Sequence, residues 1–288
     1  MNVTFLGTGA GEGYPGLFCE CPNCTYARVH GGRNIRTNTA TLIDADTMLD
    51  MNDTCFVTAA RMGIPLGRVR HLLITHSDDD HLSSQMLWWR FMTPGLDTMP
   101  KAEQMKISSP RFTAVPDLHV FGSRATKHAL MRVRPEIFDT PSRQQIIYHQ
   151  IEDGKSYQEG GLTIRAIRAQ HGAPGFCHNY IVERGGKTLL YASDTGGYDD
   201  DMMKILFEYR YDLVIMEGTY GLGYNGPGHM CLEKNRAFRK LLADHGCFAD
   251  NARMVITHMS PHWTPPHDEY AAMLSDEGID VAYDGLRI

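Results

Sequence analysis

The sequence lacks the features that mark membrane-spanning, secreted and nucleic-acid-binding proteins. No apolar run is long enough to cross a bilayer, and the first residues, MNVTFLGTGAG, show neither the basic nor the apolar segment of a signal peptide. The 28 lysines and arginines are outnumbered by 34 aspartates and glutamates, and they form no basic block. We therefore expect a cytoplasmic protein that binds neither membranes nor nucleic acids.

Internal repeats and low-complexity tracts are also missing, whereas hydrophobic residues make up 42% of the 288 positions, enough for a substantial core. Short β-prone runs occur in both halves with helical patterns between them, without the regular alternation of a barrel or a doubly wound sheet. This pattern favours an α/β protein whose two sheets pack face to face with helices outside, as a single domain over residues 1–288. A helix is predicted over residues 83–92 and a final strand over residues 281–288.

One long connection, at about residues 93–117, has little periodicity and contains several prolines. A connection of this length inside a compact domain usually serves a function. We expect a lid or a dimer arm there, and we keep a homodimer open as an expectation.

The seven cysteines are odd in number, and three of them, Cys19, Cys21 and Cys24, crowd into one short stretch. In a reducing compartment such crowding indicates a metal site rather than disulfides. A closed tetrahedral zinc site needs a fourth ligand, and no further cysteine lies nearby in the sequence. The alternative interpretation is a loop with three unlinked thiols.

The densest cluster of potential metal ligands follows a short apolar run at residues 72–74. Four such residues, His76, Asp78, Asp80 and His81, lie within six positions. Imidazoles and carboxylates at this density are typical of a metal site. An acidic loop that caps the next helix is the alternative, but it explains one aspartate and neither histidine.

Three more potential ligands recur at the ends of predicted strands. His171, Asp194 and His258 each follow such a strand end directly or closely. Strand ends at one rim of a sheet are rigid, so side chains that are far apart in the sequence can converge there. We therefore interpret these residues and the 76–81 cluster as parts of one site.

The H-S-D-D-D-H motif at 76–81, with the later histidine, aspartate and histidine, resembles the metallo-β-lactamase superfamily. That family has an H-x-H-x-D-H motif, a later histidine, a bridging aspartate and a final histidine, and the resemblance covers almost the whole chain. It implies a four-layer αβ/βα sandwich and two active-site divalent ions, Zn or Mn, with Fe as a further option. It assigns His76, Asp78 and His171 to the first ion, Asp80, His81 and His258 to the second, and Asp194 to both. Asp80 would also orient the attacking hydroxide.

Asp78 departs from this pattern, because the family usually has histidine at that position. If Asp78 binds, three carboxylates bring the centre close to neutrality. The site then favours harder ions such as Mn²⁺ or Fe²⁺ and attracts a phosphate dianion less strongly. If it does not bind, the first metal position is weak or empty.

Within the superfamily, the Cys-x-Cys-x-x-Cys motif is similar to two groups. These are the phosphoribosyl 1,2-cyclic phosphate phosphodiesterases (PhnP) and the pyrroloquinoline-quinone biosynthesis B proteins. The stretches GHMCL at 228–232 and YDGLRI at 283–288 resemble the phosphodiesterase group. This resemblance implies that His262 is the fourth ligand of a structural zinc, with His267 as the substitute, and that His229 protonates the leaving oxygen.

The resemblance implies a metal-dependent hydrolase, namely a phosphodiesterase that attacks a small cyclic or sugar phosphate through a metal-bridged hydroxide. Its substrate would be a small anionic molecule. A lactone or ester hydrolase of the same fold is one alternative, because Asp78 and the long connection could both reshape the pocket. A non-hydrolytic cofactor-biosynthesis protein is another, because that relative also departs from the usual ligands. Residues 6–9, LGTG, resemble ribonuclease Z enzymes, but the acidic balance argues against a nuclease.

Overall fold

The computed structural model describes residues 1–92, 115–135, 138 and 146–288. Its strands form two sheets that pack face to face, and helices cover both outer faces. The predicted four-layer αβ/βα arrangement is thereby confirmed. The lid or dimer arm predicted at 93–117 lies outside the described residues except for 115–117, so it stays a prediction.

Within the described residues, the first sheet has six strands in the order β1-β2-β3-β4-β5-β6. The first three pair antiparallel and the last four pair parallel. Because β3 to β6 are parallel, their carboxyl ends meet at one rim of the sheet. The strands are β1 Val3–Gly7, β2 Ala40–Ile43, β3 Thr47–Leu49, β4 His71–Leu73, β5 Leu118–Gly122 and β6 Ile146–Gln150.

The second sheet has seven strands in the order β13-β12-β11-β10-β9-β8-β7. Strands β10 to β13 pair parallel, and β7 to β10 pair antiparallel. The strands are β7 Ser156–Glu159, β8 Leu162–Arg168, β9 His178–Arg184, β10 Lys187–Ala192, β11 Tyr211–Glu217, β12 Phe248–Thr257 and β13 Ile279–Val281. The carboxyl ends of β10, β11 and β12 again share one rim.

Three helices of the described part begin after a residue whose side chain caps them. Ser83, Ser123 and Asp199 each accept a hydrogen bond from the backbone N–H three residues later, which satisfies a helix-end donor. The helices are α1 Pro22–His30, α2 Cys55–Arg61, α3 Ser84–Trp88, α4 Arg124–Val133, α5 Asp200–Leu206, α6 Leu232–Asp244 and α7 His267–Leu274. Helices α2 to α4 pack on the first sheet, and α5 and α6 pack on the second.

The main core lies between the two sheets. Leu73 and Phe121 from the first sheet meet Tyr180 and Tyr191 from the second, and all four are fully or almost fully buried. The hydroxyl of Tyr180 donates to the carbonyl of Ile74 at 2.6 Å. Since Ile74 directly precedes the 75–81 loop, this bond ties the loop to the opposite sheet.

Two predicted elements differ from the structure. The helix predicted over 83–92 ends as α3 at Trp88 and continues only as a 3₁₀ turn, Trp89–Met92. The final strand predicted over 281–288 is wrong, because β13 ends at Val281. The last residues cross to the first sheet, where the backbones of Val3 and Ile288 exchange hydrogen bonds of 2.7 and 2.9 Å. The tail therefore closes the edge at β1.

The side chain of Arg36 fixes the glycine-rich loop after β1 against the C-terminal residues. Its buried guanidinium donates to the Oγ1 of Thr8 at 2.9 Å and to the carbonyl of Ala282. It also lies 3.0 Å from the Nδ1 of His267. Because a guanidinium can only donate, this nitrogen of His267 accepts, and the ring is neutral.

The His267–Arg36 contact predicts sensitivity to acid. Burial, followed by the positive charges of Arg36 and Arg33, lowers the pKa of His267 from its usual 6.5 to about 4. The unfolded chain takes up this proton below pH 6.5, so the stability contributed by the neutral ring is present above 6.5 and lost as pH falls toward 4. We expect His267→Gln to reduce this loss by roughly 3 kcal/mol in chemical denaturation.

Exposed His128 on α4 offers the matched control. His128→Gln should retain the pH dependence of the wild-type protein. A His267→Gln protein with the same pH dependence as His128→Gln would contradict the assignment.

Candidate dinuclear metal centre

The predicted ligands gather at the rim where the strands of both sheets end. Residues 76–81 follow β4, His171 follows β8, Asp194 follows β10 and His258 follows β12. Asp194 and His258 have φ values of 47° and 54°, and Asp50, after β3, has 59°. Non-glycine residues rarely adopt this left-handed conformation, and it concentrates at functional sites. The chain thus accepts local strain where these side chains converge.

The first group of donors consists of His76, Asp78 and His171. The Oδ2 of Asp78 lies 3.4 Å from the Nε2 of His76 and 3.8 Å from that of His171. The Oδ2 of Asp194 lies 3.6 and 3.7 Å from the same two nitrogens. Asp78 therefore faces the same point as the two histidines, although its side chain is half exposed.

The second group consists of Asp80, His81 and His258. The Nε2 atoms of the two histidines are 3.2 Å apart, and the Oδ2 of Asp80 lies 3.3 and 3.4 Å from them. Asp194 reaches this group as well, with its Oδ2 3.4 Å from His81 and its Oδ1 3.0 Å from His258. The buried carboxylate of Asp194 thus contacts both groups.

These separations fit two bound cations. Donor atoms bonded to one ion at about 2.0–2.2 Å lie roughly 3–3.5 Å from one another. The Nε2 of His76 is buried and has no hydrogen-bond partner among the described residues, as expected of a nitrogen that coordinates an ion. Imidazole and carboxylate donors suit Zn²⁺, Mn²⁺ and Fe²⁺. The donor groups therefore fit divalent metal binding.

Each candidate histidine is oriented by a partner on its other ring nitrogen. The Nδ1 of His76 lies 3.1 Å from the Oγ1 of Thr75, and that of His171 lies 3.1 Å from the carbonyl of Gly228. The other pairs are His81 with Asp50 at 2.9 Å and His258 with Thr219 at 2.8 Å. Such partners direct the opposite nitrogen toward the metal and increase its basicity.

Two buried carboxylates support this arrangement, and the sequence prediction missed both. Asp50 accepts from the backbone N–H and hydroxyl of Thr75 at 2.8 and 2.9 Å, in addition to His81. Glu217 accepts from the backbone N–H groups of Thr219 and Met230 at 2.8 and 3.0 Å. Both follow or end a strand, β3 and β11, so the strand-end rule that singled out the ligands also applies to them.

The carboxylates shift the proton equilibria of the histidines. Burial lowers the pKa of His258, but its contacts with Asp194 and Asp80 outweigh burial and raise it to about 10. For His81 the same balance raises the pKa well above its usual value, against burial, through Asp194, Asp80 and Asp50. Without a cation these rings hold protons, so protons and metal compete for the same nitrogens.

His229 lies beside the two donor groups. Its Nδ1 is 2.9 Å from the Oε1 of Glu217, and its ring centroid is 4.8 Å from that of His171. One of its nitrogens lies within 4.8 Å of donor atoms of both Asp194 and His258. Its side chain is 18% exposed, so it is accessible to a small molecule at the rim. The structure thus places His229 next to the centre, where it forms a further donor set with Asp194 and His258.

The predicted structural zinc ligands come together at a second location. Donor atoms of Cys19, Cys21 and His262 lie within 4.8 Å of one another, and Cys19 Sγ is 3.9 Å from the Nδ1 of His262. The buried thiol of Cys24 borders the thiols of Cys19 and Cys21. The substitute ligand, His267, contacts Arg36 and the ring of Tyr283 instead. The geometry therefore favours His262 as the fourth ligand.

Comparison of the sequence with known proteins identifies the family of this chain. The sequence model of the β-lactamase superfamily domain matches residues 42–259, well over half of the chain. The chain belongs to the β-lactamase superfamily. Its fold is the metallo-β-lactamase fold. Membership of the superfamily supports the assignment of this chain as a hydrolase in general.

Two curated relatives within this superfamily are coenzyme PQQ synthesis proteins B. The one from Methylobacterium sp. (strain 4-46) is 23% identical over 248 residues, which cover 76% of this chain and 73% of the relative. The one from Cupriavidus necator is 28% identical over 163 residues, covering 44% and 49%. Both identities are too low for the function of the relative to be transferred to this chain.

Solved structures of superfamily members show the same fold. A new diphosphatase from the PhnP family superimposes with a TM-score of 0.72 at 20% identity, over 100% of this chain and 96% of the other. Zn²⁺-bound PqqB from Methylobacterium extorquens gives a TM-score of 0.71 at 18% identity, over 100% and 99%. No helix in the described ranges is long and apolar enough to cross a membrane.

The geometry of Asp78 leads to a testable prediction about metal content. Loss of an outer-shell partner already weakens metal binding ~10–100-fold, so loss of a direct ligand should weaken it at least as much. We expect Asp78→Ala to lose the metal of the first group while keeping the second, as measured by elemental analysis after dialysis. Asp79→Ala is the matched control, because it removes the exposed carboxylate of the next residue. Equal metal content in the two variants would show that Asp78 is not a ligand.

Proposed function

We propose that this superfamily member is a metal-dependent phosphodiesterase that hydrolyses a small, anionic phosphate ester, such as a cyclic or sugar phosphate. The observation that supports this most directly is the position of His229 beside two groups of metal-type donors. Hydrolysis of a phosphate diester needs both the cations and a proton donor, because negative charge develops on the phosphoryl oxygens while an alkoxide departs. Two divalent ions bound there would supply Lewis acidity, acidify the attacking water and neutralise phosphoryl charge.

Glu217 prepares His229 to deliver a proton. The carboxylate is fully buried and is held by several N–H and hydroxyl donors, so its position is fixed. Burial lowers the pKa of His229, but the hydrogen bond to Glu217 and its charge outweigh burial and raise the pKa. Because Nδ1 is engaged by Glu217, Nε2 is the nitrogen left to protonate a departing oxygen. Asp80, in the second donor group, would bind metal and orient the attacking oxygen.

Aromatic side chains also lie near His229. The ring of Tyr220 lies 5.2 Å from that of His229 and 5.1 Å from that of Tyr224. Tyr224 is about half exposed. Exposed rings next to a proton donor offer a stacking surface for a ring of the leaving group. We therefore include sugar and nucleoside esters among the candidate substrates.

A role in cofactor biosynthesis is the second candidate. It is supported by the sequence matches to coenzyme PQQ synthesis proteins B, which span most of this chain in one case. The thiolate cluster with His262 is compatible with this role as well as with the phosphodiesterase. The two candidates differ in the dinuclear centre, because hydrolysis requires it to be loaded with metal.

Replacing His229 tests the assigned proton donor. We expect His229→Ala to lower kcat by ~10²–10⁴ on a diester with an alkoxide leaving group, while metal content stays unchanged. On a nitrophenyl ester the loss should be far smaller, because that leaving group departs without a proton. Equal losses on both substrates would instead indicate a structural role for His229, and loss of metal would make it a ligand.

A substrate panel tests the proposed reaction itself. The metal-loaded protein should hydrolyse cyclic phosphodiesters, sugar phosphodiesters or dinucleotide pyrophosphates, monitored by release of phosphate esters. Lactones, added at equal concentration, should be turned over poorly. Activity on lactones alone would favour the ester hydrolase. One zinc per chain without further metal and without turnover would favour the cofactor-biosynthesis role.

A further inference from the structure

A further group of metal-type donors lies at the edge of the sandwich, apart from the rim that holds the candidate centre and from the thiolate cluster. It consists of His119 on β5, His149 on β6 and Glu159 on β7. Their donor atoms lie within 4.8 Å of one another. His119 Nδ1 is 2.9 Å from His149 Nε2 and 3.4 Å from Glu159 Oε2. These separations match those between ligands of one ion.

Ordinary hydrogen bonds do not satisfy this trio well. The same nitrogen, Nδ1 of His119, faces both His149 and Glu159. A neutral ring nitrogen carries either one proton or one lone pair, so it cannot donate fully to Glu159 and also accept from His149. A cation between the three atoms would accept a lone pair from each of them.

The rings and the carboxylate are held in place by their surroundings. Phe121 stacks on His149, with centroids 4.4 Å apart and an angle of 10°. Gly160, at a φ of 54°, allows the turn after Glu159 to approach His71, because a Cβ at Gly160 would lie 2.7 Å from the Nε2 of His71.

A cation can reach this trio from solvent. His119 and Glu159 line a cavity of about 440 Å³, and their side chains are 20% and 32% exposed. The lining also carries the carboxylates of Asp46 and Asp117 and the guanidinium of Arg70. The carboxylate of Asp46 is already paired with Arg184 at 2.6 Å, so the attraction for a cation comes from the donor atoms of the trio itself.

We propose that His119, His149 and Glu159 bind a zinc-class divalent ion that links the edges of the two sheets. β6 is the last strand of the first sheet and β7 the last strand of the second. Two imidazoles and one carboxylate are a known zinc ligand set, and the fourth position remains for water from the cavity. The ion stabilises the folded state, because the unfolded chain does not bring the three ligands together. It is separate from the dinuclear centre and from the thiolate cluster.

Crystals of the full chain soaked in Zn²⁺ test the site directly. An anomalous difference peak among these three side chains at the zinc edge, absent below the edge, is the expected result. If zinc peaks appear at the dinuclear centre or the thiolate cluster but none appears here, the proposal is wrong.

A pair of variants tests the same site in solution. After equilibrium dialysis against Zn²⁺, Glu159→Gln should hold about one equivalent less zinc than the wild-type protein and show a smaller zinc-induced rise in Tm. Glu152→Gln is the matched control, since it removes an exposed carboxylate just beyond the end of β6. Hydrolytic activity should be unchanged in both variants. Equal zinc content in the two variants would overturn the proposal.

Discussion

The rest of the candidate centre depends on the contacts that the buried carboxylate of Asp194 makes. It contacts both donor groups, through His76 and His171 on one side and His81 and His258 on the other. A buried carboxylate is costly unless cations or donors surround it. Histidine N–H groups offset that cost where the rings carry protons, and divalent ions would offset it when bound. Asp194 and His258 follow β10 and β12 of the second sheet. The left-handed backbone at these two residues brings their side chains together.

Most of the candidate ligands could be predicted because their chemistry is local. His76, Asp78, Asp80 and His81 stand together in the sequence, and the remaining ligands follow apolar strand-like runs. Asp50 and Glu217 could not be singled out in this way. A lone carboxylate at a strand end has no local mark, since its role depends on a histidine 31 residues away for Asp50 and 12 residues away for Glu217.

The layered fold was predictable from the strand-like runs in both halves, with helical patterns between them, and from the family resemblance, whereas the closure of its edges was not. The apolar residues at 286 and 288 fit a continuation of the last strand equally well. Gly285, at a φ of 93°, turns the chain instead toward β1, where Leu286 and Ile288 pack on the core between the sheets. The opposite edge is where His119, His149 and Glu159 meet. Contacts between sheets at both edges depend on tertiary geometry, which strand periodicity does not encode.

Asp78 gives the two proposed metal positions equal donor sets. Each has two imidazoles and one carboxylate of its own, and both share Asp194. A histidine in place of Asp78, as in the superfamily pattern, would make the first position softer and more positive than the second. With equal sets, both positions should prefer the same ion, and three carboxylates offset most of the charge of two divalent ions. Such a centre attracts an anionic substrate only weakly. Recognition must then rely on the groups around it, which are the proton on His229 and the rings of Tyr220 and Tyr224.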